Sequence, residues 1–261
     1  MQLIADNLHI VNSSIRNALR DLDPEPIKKL VIQCEIAGAD AIDINAGPLT
    51  RNPEEKMTFL VETVQSVTNL AVMIDTANPI AMEAGLKANK KTAIINGFSL
   101  EPIKLERILP LAKKYQVDII GYLLHPNNRV PNDASERFSL AIEILQVIHN
   151  QGIDQNQLII DPVIVPLSWQ NGSEQAGKVL DVIRNIPDVL GFPVKTIAGL
   201  SNLTSGHGYK AKRLLLERTY LPMLASAGLD MALLNIFHDQ TIAVGRACEP
   251  LVNSKIFSWA S

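Results

Sequence analysis

The chain has 261 residues, of which 47% are hydrophobic and 20% charged, with a formal net charge of −3. That apolar content excludes disordered and low-complexity architectures, because it supplies a full core. The slightly acidic balance argues against a general nucleic-acid binder, and the length suits one α/β barrel of about 250 residues better than two ordinary domains.

Residues 1–6 show no basic stretch followed by a long apolar one, so no secretory signal is expected. An initial strand is expected near 2–5 and a helix over 26–37. Residues 41–45 read as strand, followed by a helix near 53–68 with Pro53 at its start. Strand 71–75 leads to helix 78–88. Strand 92–96 leads to a helix over 105–115, in which Pro110 predicts a kink or a break. Strand 117–124 precedes the longest helix, 133–149, with Asn132 or Asp133 as N-cap and Gly152 just beyond its end. In 158–165, Pro162 marks where the ladder stops. A helix over 173–186, strand 195–200, a helix over 210–227 broken near Pro222, strand 231–236 and a closing helix over 239–252 complete the series.

Eight strands alternate with eight helical stretches, which implies right-handed crossovers and a parallel sheet. The expected architecture is a (β/α)8 TIM barrel, one domain over 1–261. No apolar run approaches a bilayer span, so the chain reads as soluble and cytoplasmic, with no membrane partner. Cys34 and Cys248 lack C-x-x-C spacing and read as two buried, reduced thiols.

Polar residues recur where the strands end: Asn45, Asp75, Asn96, Asp161, Asn202 and Asn235. In a barrel those ends converge on the face that carries the active site. Asp and Asn also cap helices and tolerate turns. Asp75, Asn96 and Asp161, however, follow apolar runs so directly that partial burial is expected, and a buried carboxylate needs partners. No strong positive charge lies beside them in sequence, so a ligand is the missing donor. Carboxylates with amides suit a flat heterocycle with adjacent N–H donors and a carbonyl, such as a 2-amino-pyrimidinone. Mg²⁺ or Ca²⁺ is the rival ligand, although no D-x-D-x-D or H-E-x-x-H is present and the expectation is no metal.

Other patterns say less. Walker, G-x-S-x-G and dinucleotide motifs are missing. The loop 201–208, with Gly206 and Gly208 around His207, reads as an anion cradle or a lid. Lys210, Lys212, Arg213 and Arg218 form a local basic patch. Lys195 begins its strand and therefore points away from the catalytic face, while His125 and His238 read as solvated loop histidines.

The runs Asp43-Ile44-Asn45-Ala46-Gly47-Pro48, Ile74-Asp75-Thr76-Ala77-Asn78, Ile94-Ile95-Asn96, Ile160-Asp161-Pro162-Val163-Ile164-Val165-Pro166 and Gly199-Leu200-Ser201-Asn202 resemble the pterin-binding methyltransferases. Within these the chain is similar to the methyltetrahydrofolate:corrinoid methyltransferases over nearly its whole length. The resemblance implies a (β/α)8 barrel, usually a homodimer, and methyl transfer between tetrahydrofolate and a corrinoid (cobalamin-type) cobalt. It places Asp75, Asn96 and Asp161 where the pterin ring is hydrogen-bonded. Asp43 and Asn45 of the first motif fall in the same substrate-binding set.

By the same resemblance Asn202 matches a mobile asparagine near the methyl-bearing nitrogen and is the catalytic candidate. Arg213 aligns with an arginine near the folate. The family often begins with Gly-Glu-Arg-x-Asn, where this chain has Ala5-Asp6-Asn7-Leu8-His9, and the loop between Asn202 and Arg213 is longer here. These departures lean the expected direction toward a demethylation system rather than carbon fixation. The D-x-H-x-x-G motif of corrinoid-binding modules has only a Val147…His149…Gly152 counterpart, so the corrinoid is expected on a separate partner protein. The alternatives are a dihydropteroate synthase, which needs a Lys…Arg pattern on its last strands, and a folate carrier without turnover.

Overall fold

A computed structural model describes residues 1–206 and 208–252. Eight parallel strands close into one barrel in sequence order, β8 pairing back onto β1. β1 (Gln2–His9) leads to α1 (Ser13–Asp21) and α2 (Pro24–Ile36), and β2 (Ala41–Asn45) to α3 (Pro53–Gln65). β3 (Ala71–Asp75) leads to α4 (Pro79–Ala88), and β4 (Ala93–Phe98) to α5 (Pro102–Arg107) and α6 (Leu109–Tyr115). β5 (Asp118–Tyr122) is followed by α7 (Ala134–Asn150), and β6 (Leu158–Asp161) by α8 (Gly172–Leu190). β7 (Lys195–Gly199) runs into a 3-10 turn, Leu200–Thr204, and then α9 (Lys210–Ala227). β8 (Met231–Leu234) and α10 (Asp239–Val252) finish the described chain. The expected (β/α)8 barrel is the architecture, and no described helix is long and apolar enough to cross a membrane.

Four of the helices start where short polar side chains satisfy their free N–H groups. Asn12 accepts from Ser14, Asp23 from Glu25, Asn78 from Ile80 and Ala81, and Asp133 from Glu136. Proline sits in the first turn of α2, α3, α4 and α5, where its missing N–H has no intrahelical partner to lose.

Four expectations are corrected. Helix α1 lies outside the predicted series, because it ends on Leu22 in the left-handed region (φ 54°) rather than on the glycine that would have announced a stop. β1 runs to His9, since Asp6 and Asn7 stay in the strand through a register shift between Ala5 and Leu8. The break expected from Pro110 is present, with two helices meeting at Ile108 and Pro110 opening the second. The helix over 210–227 is not broken at Pro222, because Leu221, Leu224 and Ala225 are buried around it and hold the turn. The segments 123–124, 162–165 and 235–236 lie past the strands, and Leu123, Ile164, Val165 and Ile236 are apolar because they are buried under the loops.

Each strand is buried on both faces, so it reads as a near-continuous apolar run. One phase of each strand, such as Leu3, Ile42, Val72, Ile95, Ile119 and Ile160, faces the helices. The other fills the barrel with one residue per strand: Ile4, Ala41, Met73, Ile94, Ile120, Ile159, Ile197 and Met231. The register is staggered, since Met73 pairs with Asp43 and Ile94 with Asp118, as closure of a tilted barrel requires.

Candidate functional site

Strand side chains alternate, so two residues beyond each inner apolar residue the chain faces inward again, one step nearer the C-terminal mouth. Those positions are Asp6, Asp43, Asp75, Asn96, Tyr122 and Asp161, with Gly199 and Leu233 completing the circle. Asp43 and Asn96 are buried. The Asn96 Nδ2 donates to Asp43 Oδ1 at 3.1 Å, and the Tyr122 hydroxyl donates to Asn96 Oδ1. Asn45, at the tip of β2, donates from Nδ2 to Asp75 Oδ2 at 2.5 Å and accepts from the Gly47 N–H at 3.2 Å. Asp161 Oδ1 accepts the Val163 N–H at 2.8 Å. Val163 has φ 64°, a strained conformation for a β-branched residue, held here at the rim of the mouth.

Among the described residues none of Asp6, Asp43, Asp75 and Asp161 has a cation within ion-pair distance. Burial pushes the Asp161 carboxyl up to about 7, against the opposing pull of the Val163 N–H and the Arg137 charge. It pushes Asp75 to about 6, with Lys104 opposing, and Asp6 to about 6 despite the Ser201 hydroxyl. Asp43 stands well above the ordinary carboxylate range, through burial and then the neighbouring Asp75. Burial also raises the Tyr122 hydroxyl. Lys104 of α5 has its Nζ 5.7 Å from the Tyr122 ring centroid. Arg137 of α7 is wholly buried and donates to the Pro162 carbonyl at 2.9 Å and to Gln175 Oε1 at 2.8 Å, fixing the backbone beside Asp161. The mouth is thus a set of preorganised acceptors short of N–H donors.

The seventh strand contributes differently. Gly199 occupies its inner position, and a Cβ there would lie 2.9 Å from Asn202 Nδ2, so the amide of Asn202 takes the space a side chain would fill. The turn carrying Asn202 is tied across the barrel by the Ser201 hydroxyl, which donates to Asp6 Oδ2 at 3.3 Å, and outward by Thr204, which donates to the buried Glu217 of α9.

Of the sequence candidates, Asp43, Asn45, Asp75, Asn96, Asp161 and Asn202 meet at this mouth. Arg213 stands outside it, on α9, where its Nε donates to the Thr204 hydroxyl at 3.4 Å. Asn235 accepts from Asn7 Nδ2 at 2.8 Å and serves the seam between β1 and β8. His9 accepts the Val11 N–H on Nδ1 and closes the turn after β1. Lys195 is exposed at the far end of the barrel, 3.1 Å from Asp118. His125 lies between Glu136 and Arg129 on the rim, and His238 is 3.9 Å from Glu217. Cys34 and Cys248 are free and buried, as expected. His207 lies outside the described residues. No group of three His, Cys, Asp or Glu among the described residues is arranged to hold a metal. Tyr122 and Lys104 were not anticipated. Tyr122 was legible, since it stands two residues past Ile120 as Asp161 does past Ile159.

The C-terminal mouth of the closed barrel thus gathers hydrogen-bond acceptors, the chemistry that suits a ligand rich in N–H groups. Residues 10–235 match the family described as pterin binding enzyme, and the chain belongs to that family. It is 24% identical over 239 residues to the methylcorrinoid:tetrahydrofolate methyltransferase of Eubacterium limosum, covering 90% of this chain and 85% of that one. It is 21% identical over 210 residues to the methionine synthase of Mycobacterium tuberculosis, covering 76% of this chain and 17% of that much longer protein. The dihydropteroate synthase of Xanthomonas albilineans with 4-aminobenzoic acid shares the fold, with a TM-score of 0.69 at 17% identity over 97% of this chain and 93% of that one.

Proposed function

We propose that this enzyme transfers a methyl group from a corrinoid cobalt, carried on a separate corrinoid protein, to N5 of tetrahydrofolate. The observation that carries the reading is the ring of buried and half-buried carboxylates and amides at the mouth, whose carboxylates have no ion-pair partner among the described residues. It agrees with the similarity to the methylcorrinoid:tetrahydrofolate methyltransferase. A pterin offers a 2-amino group and a ring N–H side by side, which match the two oxygens of one carboxylate, and a carbonyl that matches an amide N–H. In this reading Asp161, Asp75 and Asn96 bind the ring, while Asp43 and Asn45 orient Asn96 and Asp75.

The chemistry asks little of the side chains beyond placement. The N5 lone pair of the folate attacks the methyl carbon as the methyl–cobalt bond breaks, that bond's electron pair leaving with the substrate corrinoid as Co(I) and the N5 proton passing to solvent. The enzyme's task is to hold the nitrogen in line. Asn202 offers a hydrogen bond to that nitrogen but no proton, so its role is orientation and stabilisation, not acid catalysis. No covalent enzyme intermediate is needed, consistent with a sequence without nucleophile motifs.

The chain's own residues do not suit a resident corrinoid. His149, in the nearest counterpart of the corrinoid motif, is exposed at the end of α7 and lies 3.1 Å from Gln155. A dihydropteroate synthase activity is disfavoured because the lysine of β7 pairs with Asp118 at the opposite end of the barrel. The departures at Asp6–His9 and in the longer Asn202–Arg213 loop lead us to place the enzyme in a demethylation system.

The test is an anaerobic optical assay with the protein, tetrahydrofolate and methylcobalamin, repeated with a methylated corrinoid protein. We expect protein-dependent loss of the methyl-cobalt spectrum and formation of methyltetrahydrofolate. Asn202→Ala should lower turnover by about 10–100-fold with folate affinity within about twofold. Tight folate binding without transfer from either donor would overturn the methyltransferase reading in favour of a carrier.

A further inference from the structure

Beside the turn that carries Asn202 a cleft of about 320 Å³ opens, walled by the loop after β6, the end of the 3-10 turn and the start of α9. The Leu167 N–H donates to the Leu203 carbonyl at 2.9 Å, so the two walls form one backbone unit. Leu167, Leu203 and Leu216 give it apolar surface, Lys212 and Arg213 give it charge, and among the described residues no carboxylate lines it. Lys210, Lys212 and Arg213 have no ion-pair partner among the described residues. Helix α9 also begins with no side-chain cap and no acid in its first turn, so its positive end adds to the same field.

The other clefts differ in sign or place. The one after β5, also on the mouth face, is lined by Asp133, Glu136 and Glu143. A cleft of about 570 Å³ lies at the opposite end of the barrel, where Lys195 and Asp230 line it. An anionic group leaving the mouth is therefore drawn to the α9 side and repelled from the α7 side.

A folate has a flat benzoyl spacer after its pterin and then a glutamate chain that adds one carboxylate per residue. We propose that the cleft receives this tail, its leucines against the benzoyl ring, and that Lys210, Lys212 and Arg213 select folates bearing more than one glutamate. The inference rests on the folate reading above. It makes the enzyme one for polyglutamylated substrate, with chain length read outside the catalytic mouth.

The experiment titrates the protein anaerobically with three ligands: a tail-less tetrahydropterin, tetrahydrofolate monoglutamate and the triglutamate, at low and high salt. The native protein and the double variant Lys210→Glu, Lys212→Glu are compared. Both lysines are exposed, so the variant keeps the fold. In the native protein the triglutamate should bind about tenfold tighter than the monoglutamate at low salt, the advantage shrinking as salt screens it. In the variant the two affinities should converge or invert. Equal affinity for mono- and triglutamate in the native protein, with the tail-less pterin still bound, overturns the inference and leaves the pterin site standing. A preference preserved in the variant overturns it equally. Failure of all three ligands to bind overturns the pterin site itself.

Discussion

Two layers of the barrel interior, separated by a single step of two residues along each strand, have opposite characters. The lower layer is Ile4, Ala41, Met73, Ile94, Ile120, Ile159, Ile197 and Met231, all buried and none carrying a hydrogen-bonding side chain. The upper layer holds Asp6, Asp43, Asp75, Asn96, Tyr122 and Asp161 in the same pleat phase. Between Ile159 and Asp161 the backbone rises by about 6–7 Å and the strand's role changes from packing to recognition. The lower layer sets the register and closes the barrel floor, so that the upper one can hold uncompensated carboxylates that alone would destabilise any core.

The most forceful way to break this contrast is to substitute one residue in each layer of β6. Ile159→Ala leaves a cavity in a closely packed interior and should cost about 2–4 kcal/mol of unfolding free energy. Asp161→Asn keeps an acceptor for the Val163 N–H but removes the charge and one of two parallel acceptors. It should leave stability at neutral pH equal or higher, and weaken folate binding by about 2–5 kcal/mol. Denaturant unfolding and calorimetric titration of both variants check it. Normal folate affinity in Asp161→Asn would remove this carboxylate from the site.

A second test uses pH to separate the layers, because only the upper one titrates. A carboxylate whose folded pKa is raised stabilises the fold most below its unfolded value and loses that contribution as pH rises through the folded one. For Asp161 that window runs from the ordinary value of 3.8 to about 7, and for Asp75 and Asp6 from 3.8 to about 6. The ligand-free protein should therefore be more stable at pH 5 than at pH 8, by up to about 5 kcal/mol. Folate binding should run the other way, weakening as protons occupy Asp161 below about pH 7, by up to tenfold per unit. Thermal unfolding with and without folate across that range reads both slopes, and a ligand-free stability that rises from pH 5 to 8 contradicts the assignment.

How legible was this in the sequence? The barrel was, since apolar runs alternate with helical stretches eight times. Asp75, Asn96 and Asp161 were legible because each directly follows a run of apolar residues, so the end of the strand and the start of the site coincide. Asp6 was harder to place, because Asp6-Asn7 looks like a turn and the strand continues through it by a register shift. Lys104 and Arg137 were invisible: both sit on helices, and only tertiary packing brings one to Tyr122 and the other to Pro162. The role of Gly199 was equally hidden, since its missing side chain matters only because Asn202 folds back over it.

The smallest expected effect sharpens the contrast from below. Lys195 shares the pleat phase of Ile197 and Gly199, as Asp118 shares that of Ile120 and Tyr122, yet both lie one step beneath the apolar layer. Their 3.1 Å ion pair is at the opposite end of the barrel, half open to water, where screening leaves such pairs worth about 0.2–1 kcal/mol. Lys195→Ala should therefore shift the unfolding free energy by less than about 1 kcal/mol, and leave folate affinity and methyl transfer as in the native protein. Pleat phase alone would make this lysine a site residue, whereas height along the strand excludes it. Loss of turnover in Lys195→Ala with stability intact would mean that strand height does not set function in this barrel, and it would reopen the assignment of every residue in the upper layer.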